Sequence, residues 1–225
     1  FPKAEADARG HRSYSAETMD AIRRHMAKTA KNGDAYRPGR RKATDDMKVI
    51  CAVNFKGGSS KTTSTIHLAQ RFALRGYRVL AIDMDPQANA TEGLGVYTAD
   101  GQLTTADLMD RTEAGSAIDA VVATDWDGVD LIPSHLDLSN AESSGASDLV
   151  FRLDVAFESL DLSPYDAVLF DCPPSLGKLL FAVLCAADGV VAVTEPTCRL
   201  SSFYPAHDGY ECGRRGASGR HALAA

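Results

Sequence analysis

The chain has 225 residues, of which 44% are hydrophobic and 24% charged, a balance typical of a globular protein with one full core. No apolar run approaches the ~18 residues of a membrane-spanning helix, and the first ten residues hold no signal core. The five cysteines show no CxxC spacing, which argues against a metal cluster or a disulfide framework. The cysteine usage leads us to expect a cytoplasmic chain.

The net charge of −6 is unevenly distributed. Residues 1–48 hold 12 Lys and Arg against 7 Asp and Glu, whereas the remainder holds 12 against 23. A basic arm on an acidic body suggests an anionic partner for the arm, and a solvated leader is the alternative. Because the first residue is Phe1 rather than Met, we expect the chain to begin inside a longer protein.

The first predicted element is a helix over residues 16–31. Ser15 can cap it, and Met19, Ile22 and Met26 form a narrow apolar stripe at helical spacing. Residues 32–47 are rich in turn formers and charge, which predicts a linker.

From Lys48 the pattern changes to buried strands alternating with helices. A strand over 48–55, a glycine loop, a helix ended by Gly76 and a strand over 77–85 form a βαβ unit. Further strands are predicted at 129–133, 165–171 and 189–195, with helices near 116–123, 147–160 and 178–187. The sequence predicts an α/β fold with a doubly wound, mostly parallel sheet over 48–196. The tail 197–225 shows neither helical nor strand periodicity.

The loop "NFKGGSSKTT" (Asn54–Thr63) nearly matches the phosphate-binding pattern G-x-x-x-x-G-K-[ST]. A strand that turns through glycines into a helix directs backbone amides and the helix N-terminus at an anion. Gly57 and Gly58 allow close approach to phosphates, Lys61 can reach them, and the Thr62 hydroxyl can ligate Mg²⁺. The alternative is a glycine turn that happens to precede a lysine.

An early lysine, Lys56, distinguishes this loop from the common pattern. "KGGSSKTT" resembles the K-G-G-x-G-K-[ST] loop of the ParA/MinD family of deviant Walker A P-loop ATPases. The resemblance implies that Lys56 reaches the phosphates of a partner subunit across an ATP-dependent dimer; a solvent lysine is the alternative. The ATP-binding residues it implies are Lys56, Gly57, Gly58, Ser59, Ser60, Lys61, Thr62, Thr63 and Pro196.

Ser60 departs from the family pattern, which has glycine there. If the loop needs a positive φ at this position, a serine pays about 1–2 kcal/mol. We expect weakened nucleotide binding and a weak ATPase.

Carboxylates follow two predicted strands. "DMDPQAN" resembles the family's switch I, which implies that Asp85 orients the attacking water and helps to hold Mg²⁺, and that Asp83 is a metal ligand. For Asp83 a strand-end cap is the alternative. "DAVLFDCPPSLG" resembles the Walker B and switch II segment, which implies that Asp171 binds Mg²⁺ through water. The implied metal set is Thr62, Asp83, Asp85 and Asp171, and the catalytic set is Lys56, Lys61 and Asp85.

The resemblance covers Val49 to Pro196 and is strongest to RepA-type plasmid partition ATPases. Residues 1–31 resemble the end of the DNA-binding region that precedes the ATPase in such proteins. The family implies a cytoplasmic, nucleoid-associated ATPase that uses ATP and Mg²⁺, forms a homodimer, binds DNA and responds to a ParB-type partner. Because the family continues past "TEP" with further strands and helices, we expect the tail to reflect a truncation or a frameshift.

Rival interpretations make separate demands on the sequence. A MinD-like membrane ATPase needs a C-terminal amphipathic helix, and "GRRGASGRHALAA" offers no apolar face. A nitrogenase-like iron protein needs cluster cysteines, and residues 52–170 contain none. A non-enzymatic, nucleotide-switched DNA-binding autorepressor and a non-functional remnant both stay open.

Overall fold

The computed structural model of the chain describes residues 5–6, 8–32, 46–109, 117–143 and 149–194. The predicted tail 197–225 and the predicted ATP-binding residue Pro196 lie outside these ranges, as do positions 33–45 of the predicted linker. Within them, no helix combines the length and apolar character needed to cross a membrane.

Short strands and helices alternate along the described residues. The strands are β1 (Glu5–Ala6), β2 (Arg12–Ser13), β3 (Lys48–Val53), β4 (Val79–Asp83), β5 (Val122–Ala123), β6 (Val129–Ile132), β7 (Ala167–Asp171) and β8 (Gly189–Ala192). The α-helices are α1 (Ala16–Thr29), α2 (Lys61–Leu74), α3 (Asn89–Gly93), α4 (Thr105–Met109), α5 (Leu138–Ser143), α6 (Leu149–Ser159) and α7 (Lys178–Ala186). A 3₁₀ turn occupies Ala117–Ala120.

Six strands form the main sheet in the order β5-β6-β4-β7-β3-β8. All pairs in it are parallel except β5 with β6. Parallel neighbours need crossover connections, and helices supply them here. The predicted α/β class and mostly parallel sheet are confirmed.

Helices pack on both faces of this sheet, and alternate residues of each central strand point to opposite faces. On one face, Ala69 and Ala73 of α2 pack with Ala81 of β4. On the other, α6 and α7 pack against the face that carries Leu80 and Phe170. Every residue of β4 and β7 is buried, as expected for strands covered on both sides.

The N-terminal segment adds the antiparallel β1–β2 hairpin, which the sequence analysis did not predict, and helix α1. Helix α1 follows Ser15 as predicted, because the Ser15 side chain accepts a hydrogen bond from the Thr18 amide at 3.2 Å. Arg23 of α1 donates to the carbonyl oxygen of Leu74, which ties α1 to the end of α2.

Most predicted elements are confirmed within about two to four residues. The helix predicted near 116–123 is wrong: a 3₁₀ turn is followed there by β5, where Val122 pairs with Leu131 of β6. A β-branched residue beside an available strand favours pairing over a helix. Helices α3, α4 and α5 were not predicted, because each has only five or six residues.

Strand β8 lies at one side of the sheet and pairs with β3; the described residues provide no strand on its other side. Its side chains are unusually accessible for a parallel strand, since Val190 is 53% and Val191 37% exposed. Phe181 of the adjacent helix α7 is also exposed.

Candidate functional site

The phosphate-binding loop predicted from the sequence joins β3 to α2, at the carboxyl edge of the sheet. Gly58 and Ser60 both adopt left-handed backbone, with φ of 76° and 66°. The expected positive φ at Ser60 is therefore confirmed. A Cβ built on Gly57 or Gly58 would meet no described atom within 4 Å, so open space lies beside the loop where an anion can approach.

Two lysines of the loop differ in their surroundings. Lys61 is buried, with 7% of its surface exposed, and its Nζ lies 3.4 Å from the carbonyl oxygen of Lys56. Lys56 itself is exposed. Lys61 therefore faces the inside of the loop, whereas the Lys56 side chain lies at the surface.

Asn54 anchors the loop, a role that the sequence analysis did not assign. Its Nδ2 donates to the carbonyl oxygen of Val193 at 2.6 Å, and its Oδ1 accepts from the amide of Lys56 at 2.8 Å. A signal was available in the sequence, because an Asn side chain often accepts from the amide two residues on.

Three predicted carboxylates meet at the same edge. Parallel pairing sets Asp83, the last residue of β4, directly opposite Asp171, the last residue of β7. Asp83, Asp85 and Asp171 are 0%, 8% and 1% exposed, respectively. Burial raises the pKa of Asp171 to about 7, and the nearby Thr62 hydroxyl and the charge of Lys61 oppose this rise. Burial likewise raises the pKa of Asp83 to about 6.

The two oxygens of the Asp171 carboxylate have different environments. Its Oδ1 lies 3.5 Å from the Thr65 hydroxyl, whereas its buried Oδ2 has no hydrogen-bond partner among the described residues. A buried carboxylate oxygen without a partner is costly, and a cation would satisfy it. The oxygen therefore fits a metal site better than a structural role.

The loop after β4 is held to the end of that strand. Asp85 donates its amide to Asp83 Oδ1 at 3.0 Å and accepts from the amide of Gln87 at 3.0 Å. Asp83 Oδ2 accepts from the amide and the hydroxyl of Thr91, so both of its oxygens are used within the protein. Asp83 stays a predicted ligand that has hydrogen-bond partners of its own.

The remaining predicted residues differ in accessibility. Ser59 is buried, Thr62 is half-buried and Thr63 is exposed. A cleft of about 680 Å³ lies elsewhere, between α1 and the amino edge of the sheet, beside Arg24, Arg78 and Gly128. The loop and the carboxylates, rather than this cleft, carry the predicted chemistry.

A family model described as "AAA domain" (AAA_31) matches residues 47–202. Over 151 residues the chain is 39% identical to "Chromosome partitioning protein ParA" of Caulobacter vibrioides, which covers 66% of this chain and 56% of that protein. The chain belongs to the ParA-like ATPases of the AAA_31 family. Membership agrees with the loop and the strand-end carboxylates.

Two further proteins resemble this ParA-like chain. "Putative replication protein A" of Sinorhizobium fredii is 33% identical over 208 residues, covering 87% of this chain and 51% of that protein. Cobyrinic acid a,c-diamide synthase from Mycobacterium smegmatis, solved with a bound ATP analog and magnesium, is 34% identical, with a TM-score of 0.60 over 66% of this chain and 60% of that chain. The chain spans about half the length of the relatives it matches.

Replacing Ser60 with glycine tests the strain at the loop. We expect Ser60→Gly to bind ATP up to about 10-fold more tightly: glycine adopts the left-handed backbone without the cost of about 1–2 kcal/mol for serine, so more of the free loops hold the binding conformation. Isothermal titration with Mg²⁺–ATP measures the affinity. Ser64→Gly, four residues on in α2, is the matched control and should bring no gain. Unchanged affinity in Ser60→Gly would refute the strain argument.

Burial of Asp171 predicts a pH-dependent stability in the metal-free protein. The carboxyl is protonated in both states below pH ~4; between pH ~4 and ~7 it ionises only in the unfolded chain, so stability is lost until the folded state ionises as well. In EDTA, Asp171→Asn should raise the free energy of unfolding by roughly 2–4 kcal/mol at pH 8 and by much less at pH 5. Urea denaturation measures both values.

The matched control for this prediction is Asp100→Asn, at an exposed position. It should change the free energy of unfolding by less than about 0.5 kcal/mol at either pH. Equal effects of Asp171→Asn at pH 5 and pH 8 would contradict the burial argument.

Proposed function

We propose that this chain is the nucleotide-binding part of a RepA-type partition ATPase of a plasmid or secondary replicon. It binds ATP with Mg²⁺, pairs with a second copy in the ATP state, binds DNA, and hydrolyses ATP when a ParB-type partner stimulates it. The observation that carries the proposal is the meeting of the two-lysine loop with Asp85 and Asp171 at the carboxyl ends of adjacent parallel strands. Ligands of doubly wound folds bind at this edge.

The loop from Lys56 to Thr63 would hold the phosphates. Its amides and the N-terminus of the 14-residue helix α2 supply positive potential, and the open space beside Gly57 and Gly58 admits the anion. Lys61, buried within the loop, would balance the charge of the β- and γ-phosphates.

The metal site would combine the Thr62 hydroxyl with the carboxylates of Asp171 and Asp85. The described residues contain no preformed group of three His, Cys, Asp or Glu side chains with metal-binding geometry. That suits Mg²⁺, which proteins hold through one or two carboxylates together with substrate phosphates and water. When bound, Mg²⁺ supplies charge neutralisation at the phosphates.

Asp85 would align the attacking water with the γ-phosphate. It lies at the carboxyl edge two residues after β4, and its carboxylate accepts the Gln87 amide, which restricts its orientation. Phosphoryl transfer depends on positioning and charge more than on covalent chemistry, so a fixed carboxylate suits this role.

Lys56 would couple ATP to dimerisation. Its side chain is exposed at the site, and its backbone amide donates to the Asn54 side chain. A lysine supplied to the partner's phosphates makes the closed dimer depend on the γ-phosphate charge, as an arginine finger does.

The partners are proposed on other grounds. The basic segment 1–48 carries 12 Lys and Arg against 7 Asp and Glu and would bind the DNA backbone. Partition proteins among the relatives support a ParB-type partner and a nucleoid-associated, cytoplasmic location. Pro196, which the family resemblance implies as an ATP-binding residue, stays a proposed part of the nucleotide site.

Changing Asp85 separates an ATPase from a nucleotide-switched repressor. Asp85→Ala should lower ATP turnover by about 100-fold or more, because the water loses its orienting group, while ATP affinity stays within about threefold. Phosphate release and equilibrium binding measure the two quantities. Asp100→Ala, at an exposed position, is the control. Unchanged hydrolysis in Asp85→Ala would remove Asp85 from the catalytic set; an inactive wild type that still binds ATP would favour the repressor.

The mass in solution tests the ATP-dependent dimer. The 225-residue chain should be a monomer with Mg²⁺–ADP and a dimer with Mg²⁺–ATP, and Lys56→Ala should stay monomeric in both. Light scattering measures the mass. Lys48→Ala, an exposed lysine at the opposite end of β3, is the matched control and should dimerise. A wild-type monomer in both nucleotides would mean that the closed dimer belongs to a longer protein.

A further inference from the structure

Thr91 is a buried polar residue at the candidate site that the sequence analysis did not single out. It lies in the short helix α3 and is 1% exposed. Its hydroxyl donates to Asp83 Oδ2 at 2.8 Å and accepts from the amide of Ser134 at 3.0 Å, while its own amide donates to Asp83 Oδ2 at 2.9 Å. One side chain thus connects three separate parts of the fold.

The connected parts lie at the carboxyl ends of neighbouring parallel strands. Asp83 is the last residue of β4, and Ser134 lies two residues after the end of β6. Asp83 Oδ1 also accepts from the amide of Asp85 at 3.0 Å. The amides of Asp85 and Thr91, near the two ends of the segment 84–90, therefore both donate to the Asp83 carboxylate. One side chain holds both ends of the segment.

The segment between these contacts needs such support. Ala88 within it has φ of 54° and ψ of 31°, a left-handed conformation that a residue with a Cβ adopts at a cost. The surrounding hydrogen bonds must hold the backbone there, and the contacts of Asp83 and Thr91 flank the strained residue on both sides.

We propose that Asp83 and Thr91 are positioning residues that form a buried clamp, which holds the segment 84–90 and presents Asp85 to the nucleotide. The part concerning Asp85 rests on the proposed function, whereas the clamp itself does not. This assignment gives Asp83 a different role from the metal ligand that the family resemblance implies. Its carboxylate already accepts three hydrogen bonds inside the protein.

The chemistry of both side chains suits the clamp. Asp83 faces N–H and O–H donors at both oxygens, so an asparagine would turn its NH₂ group toward a donor. Thr91 must donate and accept with one hydroxyl; serine can do this and valine cannot. Thr91→Val would leave the Ser134 amide and one acceptor position of Asp83 unsatisfied in a buried place, and Thr91→Ser would keep both bonds.

Amide hydrogen exchange of the nucleotide-free 225-residue chain tests the clamp directly. In Thr91→Val, the amides of residues 85, 91 and 134 should exchange about 10-fold faster or more, while those of β7 keep their rates. Thr91→Ser should restore slow exchange. The matched control is Thr105→Val: Thr105 is 0% exposed, and its hydroxyl makes no hydrogen bond to any described residue. Equal acceleration in β7, or no acceleration anywhere, would overturn the clamp.

Magnesium titrations of ATP hydrolysis separate a clamp from a metal ligand. For a clamp, Thr91→Val and Asp83→Asn should both lower kcat by about 10-fold or more and change the half-saturating Mg²⁺ concentration equally little, and Thr91→Ser should recover kcat. An increase of about 10-fold or more in the Mg²⁺ requirement of Asp83→Asn alone would assign Asp83 to the metal and overturn the proposal. If the wild type hydrolyses no ATP, the proposed function fails, and the exchange rates still decide the clamp.

Discussion

Parallel pairing of β4 with β7, and of β7 with β3, is the constraint on which the site depends. Because these strands run in one direction, their carboxyl ends meet at one edge, where Asp83 lies opposite Asp171 and beside the loop that follows β3. Burial at this edge raises the pKa of both carboxyls above the usual range. The same burial that stabilises the sheet therefore creates a place where a cation is favourable.

Backbone strain is concentrated on the loops of the site. Two residues with a Cβ, Ser60 and Ala88, adopt left-handed backbone on the two loops that flank the carboxylates. Strained backbone persists when the surroundings determine it, and here a helix start and a buried hydrogen-bond network do so. A loop that hydrogen bonds hold in one conformation loses little further freedom when it binds a phosphate.

The sequence predicted the strands and long helices well because each carries a full period of buried side chains. The positive φ at Ser60 was also predictable, since a family position normally held by glycine points to a backbone that glycine tolerates best. The short helices and β5 were not, because a single turn or a two-residue strand carries no period and forms through tertiary contacts. The role of Thr91 was not predicted for a similar reason: its hydroxyl bonds to the amide of Ser134, which is 43 residues away in the chain.

The accessible valines of β8 have a practical consequence for handling the protein. Among the described residues no strand pairs with the outer side of β8, and an apolar sheet edge can be a template for adding a strand from another molecule. Association through that edge would use main-chain hydrogen bonds, and its extent would grow with protein concentration. Such association would be open-ended and would differ from the closed, ATP-dependent dimer proposed above.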